Sequence, residues 1–268
     1  IGGGGGTGGD VENKATGGSG GSGKNAGNAD TVTVDNDAVI STQGNGSQGI
    51  IAQSIGGGGG TGGSVEQATM AIGGGALTGV LDELNAAKLL GTSVFTTATG
   101  GNGQVVTVNN SVNGNIDTVG KRAAAIQAQS IGGGGGIGGN ASGTVSLGGF
   151  GSAAGDGQDV IINNDGILRT FGKNSSAIVA QSIGGGGGDG GASNGGVESK
   201  DNTTTVKEAF VAIGGNGAHA GNAGQVHITN NAELIYTESD SSNAILAQYI
   251  GGGGGQGGSG EALAVLPQ

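Results

Sequence analysis

The sequence predicts an all-β fold, a parallel β-solenoid in which successive repeats stack along one axis. Glycine accounts for 70 of the 268 residues, but proline occurs only once. Collagen is therefore excluded, because its triple helix needs glycine at every third position and abundant proline. A glycine-rich motif recurs along the chain, and short apolar segments of alternating polarity precede its later copies. Chains that repeat one supersecondary unit in this way bury their apolar residues by stacking the units.

The repeat is marked by the motif Ile-Gly-Gly-Gly-Gly-Gly-x-Gly-Gly, which occurs five times. The copies begin at Ile1, Ile55, Ile131, Ile183 and Ile250. An Ala-Gln-Ser lead-in, or Ala-Gln-Tyr in the last copy, comes before each of the last four. These spacings predict a single solenoid domain over 1–268 that is a fragment of a longer repeat protein. Its units are about 1–54, 55–130, 131–182 and 183–249, with a partial unit over 250–268.

Two short strands come before each lead-in. The first has the pattern Val-x-Val-x-Asn or Val-x-Ile-x-Asn, and the second is Ile-x-Thr or Leu-x-Thr. Period-2 alternation bounded by asparagine and glycine is typical of strands and turns. Between 21 and 23 residues separate the first strand from the next glycine run, but 31 to 53 residues lie between a run and the next strand. Each repeat thus has a constant half that predicts one coil, and a variable half that predicts at least one further coil.

Stacking places equivalent residues of successive repeats in columns, here called ladders. Isoleucine, valine and leucine are expected to form the inner columns. Asparagine is expected to form a turn ladder, because its side chain hydrogen-bonds open backbone groups and tolerates left-handed backbone. Glutamine amides are expected to stack as they do in cross-β structures. The expected ladder residues are Asn36, Asn110, Asn164, Asn230, Gln53, Gln129, Gln181, Gln248, Ile55, Ile131, Ile183 and Ile250.

The longest variable segment contains a helical pattern over about 79–90. Apolar residues have helical spacing there, Lys88 lies late in the segment, and Gly91 is placed to cap the end. A short helix docked on the solenoid is expected, with a decorated loop as the alternative.

The glycine runs carry a large entropic cost, since each ordered glycine costs roughly 0.5–1 kcal/mol relative to alanine. Their recurrence predicts that they are ordered. Three physical uses remain open: backbone with positive φ, very close backbone packing, and glycine-only layers of the polyglycine II type. A flexible loop on the flank of the solenoid is the alternative.

The sequence offers few groups for catalysis or ligand binding. No glycine run leads into the Lys-Ser or Lys-Thr of a phosphate-binding loop, and His219 and His227 lack further zinc ligands. We therefore expect no enzyme and no cofactor. A net charge of −11 argues against a nucleic-acid partner.

Calcium is the metal alternative. Asp30, Asp35 and Asp37 form an acidic cluster, and Asp10 and Asp189 adjoin glycine runs. A calcium-binding β-roll needs a carboxylate in every coil, however, and the equivalent positions elsewhere are not acidic. A solvated acidic edge is the other interpretation of the cluster.

The stretch from Val160 to Gly184 combines Val-Ile-Ile-Asn-Asn, Leu-Arg-Thr-Phe-Gly and Ala-Ile-Val-Ala-Gln-Ser-Ile-Gly. It resembles the glycine-rich passenger repeats of Gram-negative autotransporters, and the resemblance extends over all four copies. The resemblance implies a secreted or cell-surface, right-handed β-helical passenger, carried by an outer-membrane barrel of the parent chain. Such passengers act as stalks or adhesins, and the family supplies no catalytic residues for transfer to this chain.

The expected function is an extracellular structural module, a rigid surface stalk or adhesin without catalytic activity. One alternative is a self-assembling surface filament whose subunits associate end to end or side by side, because exposed strand edges template pairing. A calcium-dependent β-roll is the second alternative. A host or matrix surface ligand is an expected partner of the stalk or adhesin.

Overall fold

The computed structural model describes residues 1–12, 17–75, 98–196 and 210–262. These residues form nineteen strands and no helix. The strands lie in four sheets with parallel pairing, as in the ladder of β11 on β7, so the predicted parallel solenoid is confirmed. The helix expected over about 79–90 falls outside the described residues.

Sheets B, C and D each contain four strands. Sheet B contains β3 (Val32–Asn36), β7 (Val106–Asn110), β11 (Val160–Asn164) and β16 (Val226–Asn230). Sheet C contains β4 (Ile40–Thr42), β8 (Ile116–Thr118), β12 (Leu168–Thr170) and β17 (Ile235–Thr237). Sheet D contains β5 (Ile50–Ile55), β9 (Ile126–Ile131), β13 (Ile178–Ile183) and β18 (Ile245–Ile250). Sheet A contains β1 (Val11–Glu12), β2 (Gly18–Ser19), β6 (Val65–Ile72), β10 (Ala141–Leu147), β14 (Ser193–Gly195), β15 (Val211–Ile213) and β19 (Gly260–Ala262).

Successive repeats pair residue for residue in sheets B, C and D. In sheet B, Val160 pairs with Val106 on one side and Val226 on the other. Because no other coil lies between these partners, one whole repeat forms one layer of the stack. The expectation that the variable half forms a further coil is wrong. Its residues leave sheets B, C and D and return to them within the same layer.

The main core lies between the inward faces of sheets B, C and D. Residues alternate along each strand, so Val160 and Ile162 are fully buried while Ile161 between them is partly exposed. The same alternation lines up aliphatic side chains from each layer. The core residues are Ile50, Ala52, Val106, Val108, Ile116, Ala125, Ile126, Ala128, Val160, Ile162, Leu168, Ala177, Ile178 and Ala180.

Two polar columns, one of threonines and one of serines, also face inward. The Thr118 Oγ1 donates a hydrogen bond of 2.6 Å to the carbonyl of Ala123, which ties down the turn after sheet C. The Ser182 Oγ donates to the Gln158 carbonyl and accepts from the Gly224 amide, both at 2.8 Å. Within the described ranges, every buried side-chain nitrogen and oxygen has a hydrogen-bond partner.

Sheet A forms the far edge of each layer and encloses a second, smaller core. That core consists of Val65, Ala68, Ala71 and Ala141, with Val11 packed against it. In the second and third repeats the sheet A strand is continuous, as β6 and β10. In the first and fourth repeats it is divided, into β1 and β2 and into β14 and β15. The register of sheets B, C and D is the same between repeats of different length.

Candidate functional site: the glycine layers and the side-chain ladders

The glycine runs (1–9, 55–63, 131–139, 183–191 and 250–258) lie side by side, one in each layer. Every third amide of a run donates to the run of the next layer. Gly56, Gly59 and Gly62 donate to the carbonyls of Ile131, Gly134 and Ile137 at 2.7–2.8 Å. A period of three residues, with hydrogen bonds between helices and none within them, is the geometry of polyglycine II.

A second glycine-rich stretch in each layer, here called the return segment, runs from sheet A back to sheet B. The return segments comprise residues 20–29, 73–75 with 98–103, 148–157 and 214–224. They are antiparallel to the glycine runs. The amides of Gly155 and Gly149 donate to the carbonyls of Gly133 and Gly139, both at 2.8 Å. Within each glycine run, the amide after the one that bonds to the next run donates to the return segment of the preceding layer. The Gly133 amide, for example, donates to the Gly101 carbonyl at 2.8 Å. The runs and return segments thus form two interlocked glycine layers.

Close approach of backbones is the reason for glycine in these layers. A Cβ built on Gly135 overlaps the carbonyl oxygen of Ser152 and comes within 2.5 Å of the Gly188 amide nitrogen. Positive φ is not the general reason, because Gly75 is the only described glycine of these layers that has it. Of the three uses left open by the sequence, the structure has close packing, and its layers have polyglycine II geometry without being glycine-only, because the return segments also contain Ser152 and Ala218.

One side of each glycine run faces solvent. The fourth residue of a run, such as Gly58 or Gly134, is exposed, and a Cβ there meets nothing closer than 3.7 Å. The variable x of the motif lies three residues further on, as at Thr61, and is also exposed. The threefold period therefore explains why x tolerates any side chain. A similar period of three in the return segments (Gly149, Ser152, Gly155) was a signal in the sequence that the strand-based analysis missed.

The asparagines that end the sheet B strands form a continuous inward ladder. Each Nδ2 donates to the Oδ1 of the next layer, at 2.7 Å for all three steps. Asn110 and Asn164 are fully buried, and their Nδ2 groups also donate to the turn carbonyls of Gly114 and Gly166. The ladder is composed of Asn36, Asn110, Asn164 and Asn230.

The glutamines of sheet D form a second amide ladder, on the outward face. Each Nε2 donates to the Oε1 of the next layer, in the same direction as the asparagine amides. The column is composed of Gln53, Gln129, Gln181 and Gln248. The amides of these two ladders donate in the same direction, whereas the outward Asn109 and Asn163 amides donate to the preceding layer.

The isoleucines that open the glycine runs also align, where sheet D passes into the glycine layers. The column consists of Ile55, Ile131, Ile183 and Ile250. It shares the outward side of the strand with the glutamines and is only partly buried, with Ile250 43% exposed. The expectation that isoleucines form inner columns therefore holds for Ile126 and Ile178, which are fully buried, but not for this column.

The aspartates proposed as calcium ligands all lie in the first repeat and are exposed. Asp30 accepts from the Thr31 amide at 2.8 Å, and Asp35 accepts from the Asn109 Nδ2 at 2.7 Å. Asp37 accepts from Ser111 and Asn113 of the next layer. Those two hydrogen bonds, led by the Ser111 hydroxyl, lower the pKa of Asp37. Asp35 and Asp37 thus serve as acceptors between layers, whereas Asp30 accepts from its own neighbour in the chain.

The other two aspartates considered for calcium have the same role. Asp10 and Asp189 accept from the amides of Ser64 and Gln256, the equivalent region of the next layer, at 2.7 Å each. Within the part of the chain that the structure describes, no group of three or more histidine, cysteine or acidic residues is arranged to hold a metal ion.

Calcium is expected to leave the stability of the chain almost unchanged. Because each of these aspartates already accepts a hydrogen bond, and all but Asp30 accept it from a neighbouring layer, a cation would have to compete with those bonds. We expect millimolar calcium followed by excess chelator to shift the thermal midpoint by less than about 1 °C, whereas a ligand at 100 times its Kd would stabilise by about 2.7 kcal/mol. A chelator-sensitive midpoint would restore the β-roll interpretation.

Comparisons with protein-family models, with curated proteins and with solved structures found no match for this chain. Within the described ranges there is no helix of the length and apolar character needed to cross a membrane.

Proposed function

We propose that this chain is a rigid, extracellular structural module, the stalk or adhesive part of an autotransporter-type passenger, without catalytic activity. The continuity of the layer-to-layer interface carries this proposal. Three sheets, two glycine layers and two amide ladders pass through successive repeats in the same register. In a repeat protein the interfaces between neighbours supply stability, so such a stack is lengthened by adding layers.

The composition is compatible with display outside the cell, since a chain without cysteine fits an exported protein and a cytosolic one equally. The chain has no cysteine and a net charge of −11, and a strong net charge keeps a protein soluble and disfavours binding to nucleic acid. The side chains that recur from layer to layer bond to the next layer, as the asparagine amides do, which is a structural role. A host or matrix surface is the proposed partner of the exposed sheet faces.

Location on the cell surface is tested with an antibody against this chain. We expect it to label intact producing cells, and external protease to remove the label while a cytoplasmic marker stays protected. The labelled polypeptide is expected to fractionate with the outer membrane. Labelling that appears only after the cells are permeabilised would contradict the proposal.

A stalk is distinguished from an adhesin by removing one layer. Deleting 131–182 should leave the fold intact, since the strands on either side carry the same pattern of ladder residues. If the chain is a stalk, this deletion should leave unchanged the binding of the surface protein that contains it to host cells or matrix. An adhesin would lose binding when outward residues of sheets B and D are replaced. An enzymatic activity that survives purification of this chain would overturn the structural assignment.

A further inference from the structure

One side of the stack joins sheet D to the glycine runs in a continuous surface, here called the D face. Outward residues of sheet D recur at every second position, and exposed residues of a glycine run recur at every third. The isoleucine column belongs to both series, because each of its residues ends a strand and opens a run. The D face therefore consists of that column, the glutamine ladder, the exposed fourth glycines, the x residues and a largely apolar column before the glutamines. Two of its apolar side chains, Ile51 and Ile137, are 53% and 49% exposed.

The D face is nearly free of charge, although the chain has a net charge of −11. The column before the glutamines is Ile51, Gln127, Val179 and Leu246, and the x residues that follow are Thr61, Ile137, Asp189 and Gln256. The one ionisable residue of these columns, Asp189, lies in the outermost column and accepts a hydrogen bond from the Gln256 amide at 2.7 Å. The outward side of sheet C, by contrast, carries the ion pair of Arg169 with Asp117. Because acidic chains repel one another, an uncharged side is where two copies approach most easily.

The glutamine ladder leaves half of its hydrogen-bonding capacity unused. A glutamine amide has two N–H donors and an oxygen with two lone pairs. The Gln129 amide donates to Gln181 and accepts from Gln53, and its side chain has no other partner among the described residues. In the buried asparagine ladder, by contrast, the Asn110 Nδ2 also donates to the Gly114 carbonyl of its own layer. The spare donors and acceptors of the glutamines thus face outward on the D face.

We propose that the D face of one copy of this chain packs against the D face of a second copy, in an isologous dimer whose two stacks are antiparallel. A twofold axis along the strands of sheet D sets each column against itself, so that amides meet amides and apolar columns meet apolar columns. Both faces repeat once per layer, at about 4.8 Å, so each layer of one copy meets a layer of the other. Paired sheets pack in this way in steric zippers, where ladders of glutamine add to the contact.

The area of the D face is sufficient for a specific complex. From Ile51 to Thr61 the strand contributes about 13 Å and the glycine run about 19 Å, at about 3.3 and 3.1 Å per residue. The four layers of sheet D span about 19 Å, which gives roughly 600 Å² for each copy. A total of roughly 1,200 Å² is the lower end of the range for specific interfaces, so we expect a dissociation constant on the order of micromolar.

The outward sides of sheets B and C stay free in this dimer for the host or matrix surface proposed above. The inference concerns self-association, and it does not depend on that partner or on where the protein is displayed.

Two pairs of substitutions charge the D face with opposite signs. Gln53→Glu with Gln181→Glu adds two carboxylates, and Gln53→Lys with Gln181→Lys adds two ammonium groups at the same positions. Gln129 separates the two positions, so the new charges of one copy are not direct neighbours. The matched control is Thr33→Glu with Ile161→Glu, which adds two carboxylates to the outward side of sheet B in the same two layers.

Sedimentation velocity of the purified chain at physiological salt tests the proposal, between about 1 and 500 µM, a range that brackets the expected dissociation constant. We expect the unmodified chain to approach twice the monomer mass. The acidic pair alone and the basic pair alone should each raise the dissociation constant at least about tenfold, because like charges then meet across the twofold axis. An equimolar mixture of the two should recover the dimer, since carboxylates face ammonium groups. The control pair should stay within about twofold of the unmodified chain, because exposed charges away from the contact are screened.

Three results would overturn the proposal. They are an unmodified chain that stays monomeric over the whole range, a control pair that weakens association as much as the acidic pair, and a mixture that remains monomeric. Circular dichroism checks that each variant folds. If a pair does not fold, Gln181→Glu and Gln181→Lys alone replace the pairs, with Ile161→Glu as their control and the same expected order of dissociation constants.

Discussion

Replacing Gly135 by alanine is expected to destabilise the protein by about 3 kcal/mol, the upper end of the typical range for overpacking a filled interior. The new Cβ overlaps the Ser152 carbonyl oxygen and comes within 2.5 Å of the Gly188 amide nitrogen. Both are backbone atoms held by hydrogen bonds in two other strands of the glycine layers, so neither can move alone. For a chain of this size the thermal midpoint should fall by roughly 6–12 °C.

Gly134→Ala is the matched control, one residue away in the same run. Its Cβ faces solvent and meets no atom closer than 3.7 Å, and the backbone of Gly134 does not have positive φ. The substitution should be neutral or stabilise by about 0.4–1 kcal/mol, because alanine restricts the unfolded chain. Thermal or urea unfolding measures the free energy of unfolding of both variants. An equal decrease for the two alanine substitutions would contradict the layered packing.

Asn164→Ala is expected to cost about 2–4 kcal/mol through lost hydrogen bonds and a buried cavity. The Asn164 amide accepts from Asn110 and donates to Asn230 at 2.7 Å and to the Gly166 carbonyl at 3.0 Å, and the residue is fully buried. Its loss interrupts the ladder in the middle of the stack and leaves Asn230 without its donor.

Asn163 is the control for this substitution, because it belongs to the same strand but points outward. Its Nδ2 donates to the Asn109 Oδ1 at 2.8 Å in an exposed position. Asn163→Ala should change the free energy of unfolding by no more than about 0.5 kcal/mol, as is usual for surface substitutions. Urea unfolding monitored by circular dichroism compares the two variants. A similar cost for both would show that burial does not determine the strength of the ladder.

Much of the fold could be predicted from the sequence, because the strands of sheets B, C and D carry their own local signals. The alternation of Val160 and Ile162 with partly exposed neighbours predicts a half-buried strand. Asparagine at the end of each first strand predicts a column once the repeats are aligned. The helix expected over about 79–90 stays a prediction.

The path of the variable half could not be predicted in the same way. Alternation detects strands, but polyglycine II has three residues per turn and no hydrogen bonds within the helix. The return segments contain Ser152 and Ala218 in place of glycine, which obscured the period. The sequence analysis therefore expected a further coil, where the structure has two antiparallel glycine segments and a strand of sheet A in the same layer.

The role of the aspartates in the first repeat also could not be predicted from the local sequence. A local cluster of carboxylates suggests a cation when the sequence alone is considered. In the structure Asp35 and Asp37 instead accept hydrogen bonds from residues 74 or more positions away. Sequence proximity does not identify these donors, because they belong to another layer.

The amino-acid sequence by itself determined the repeat, the parallel stacking and the identity of the amide columns, because each depends on periodic residue types within one repeat. Tertiary structure alone decided why the glycines are required, which glycines face solvent, and the direction in which the amides of each column donate. Those properties depend on distances between backbones of different layers. Gly134 and Gly135 are adjacent glycines of the same run. Only their contacts with neighbouring backbones make the first position tolerant of a side chain and the second intolerant.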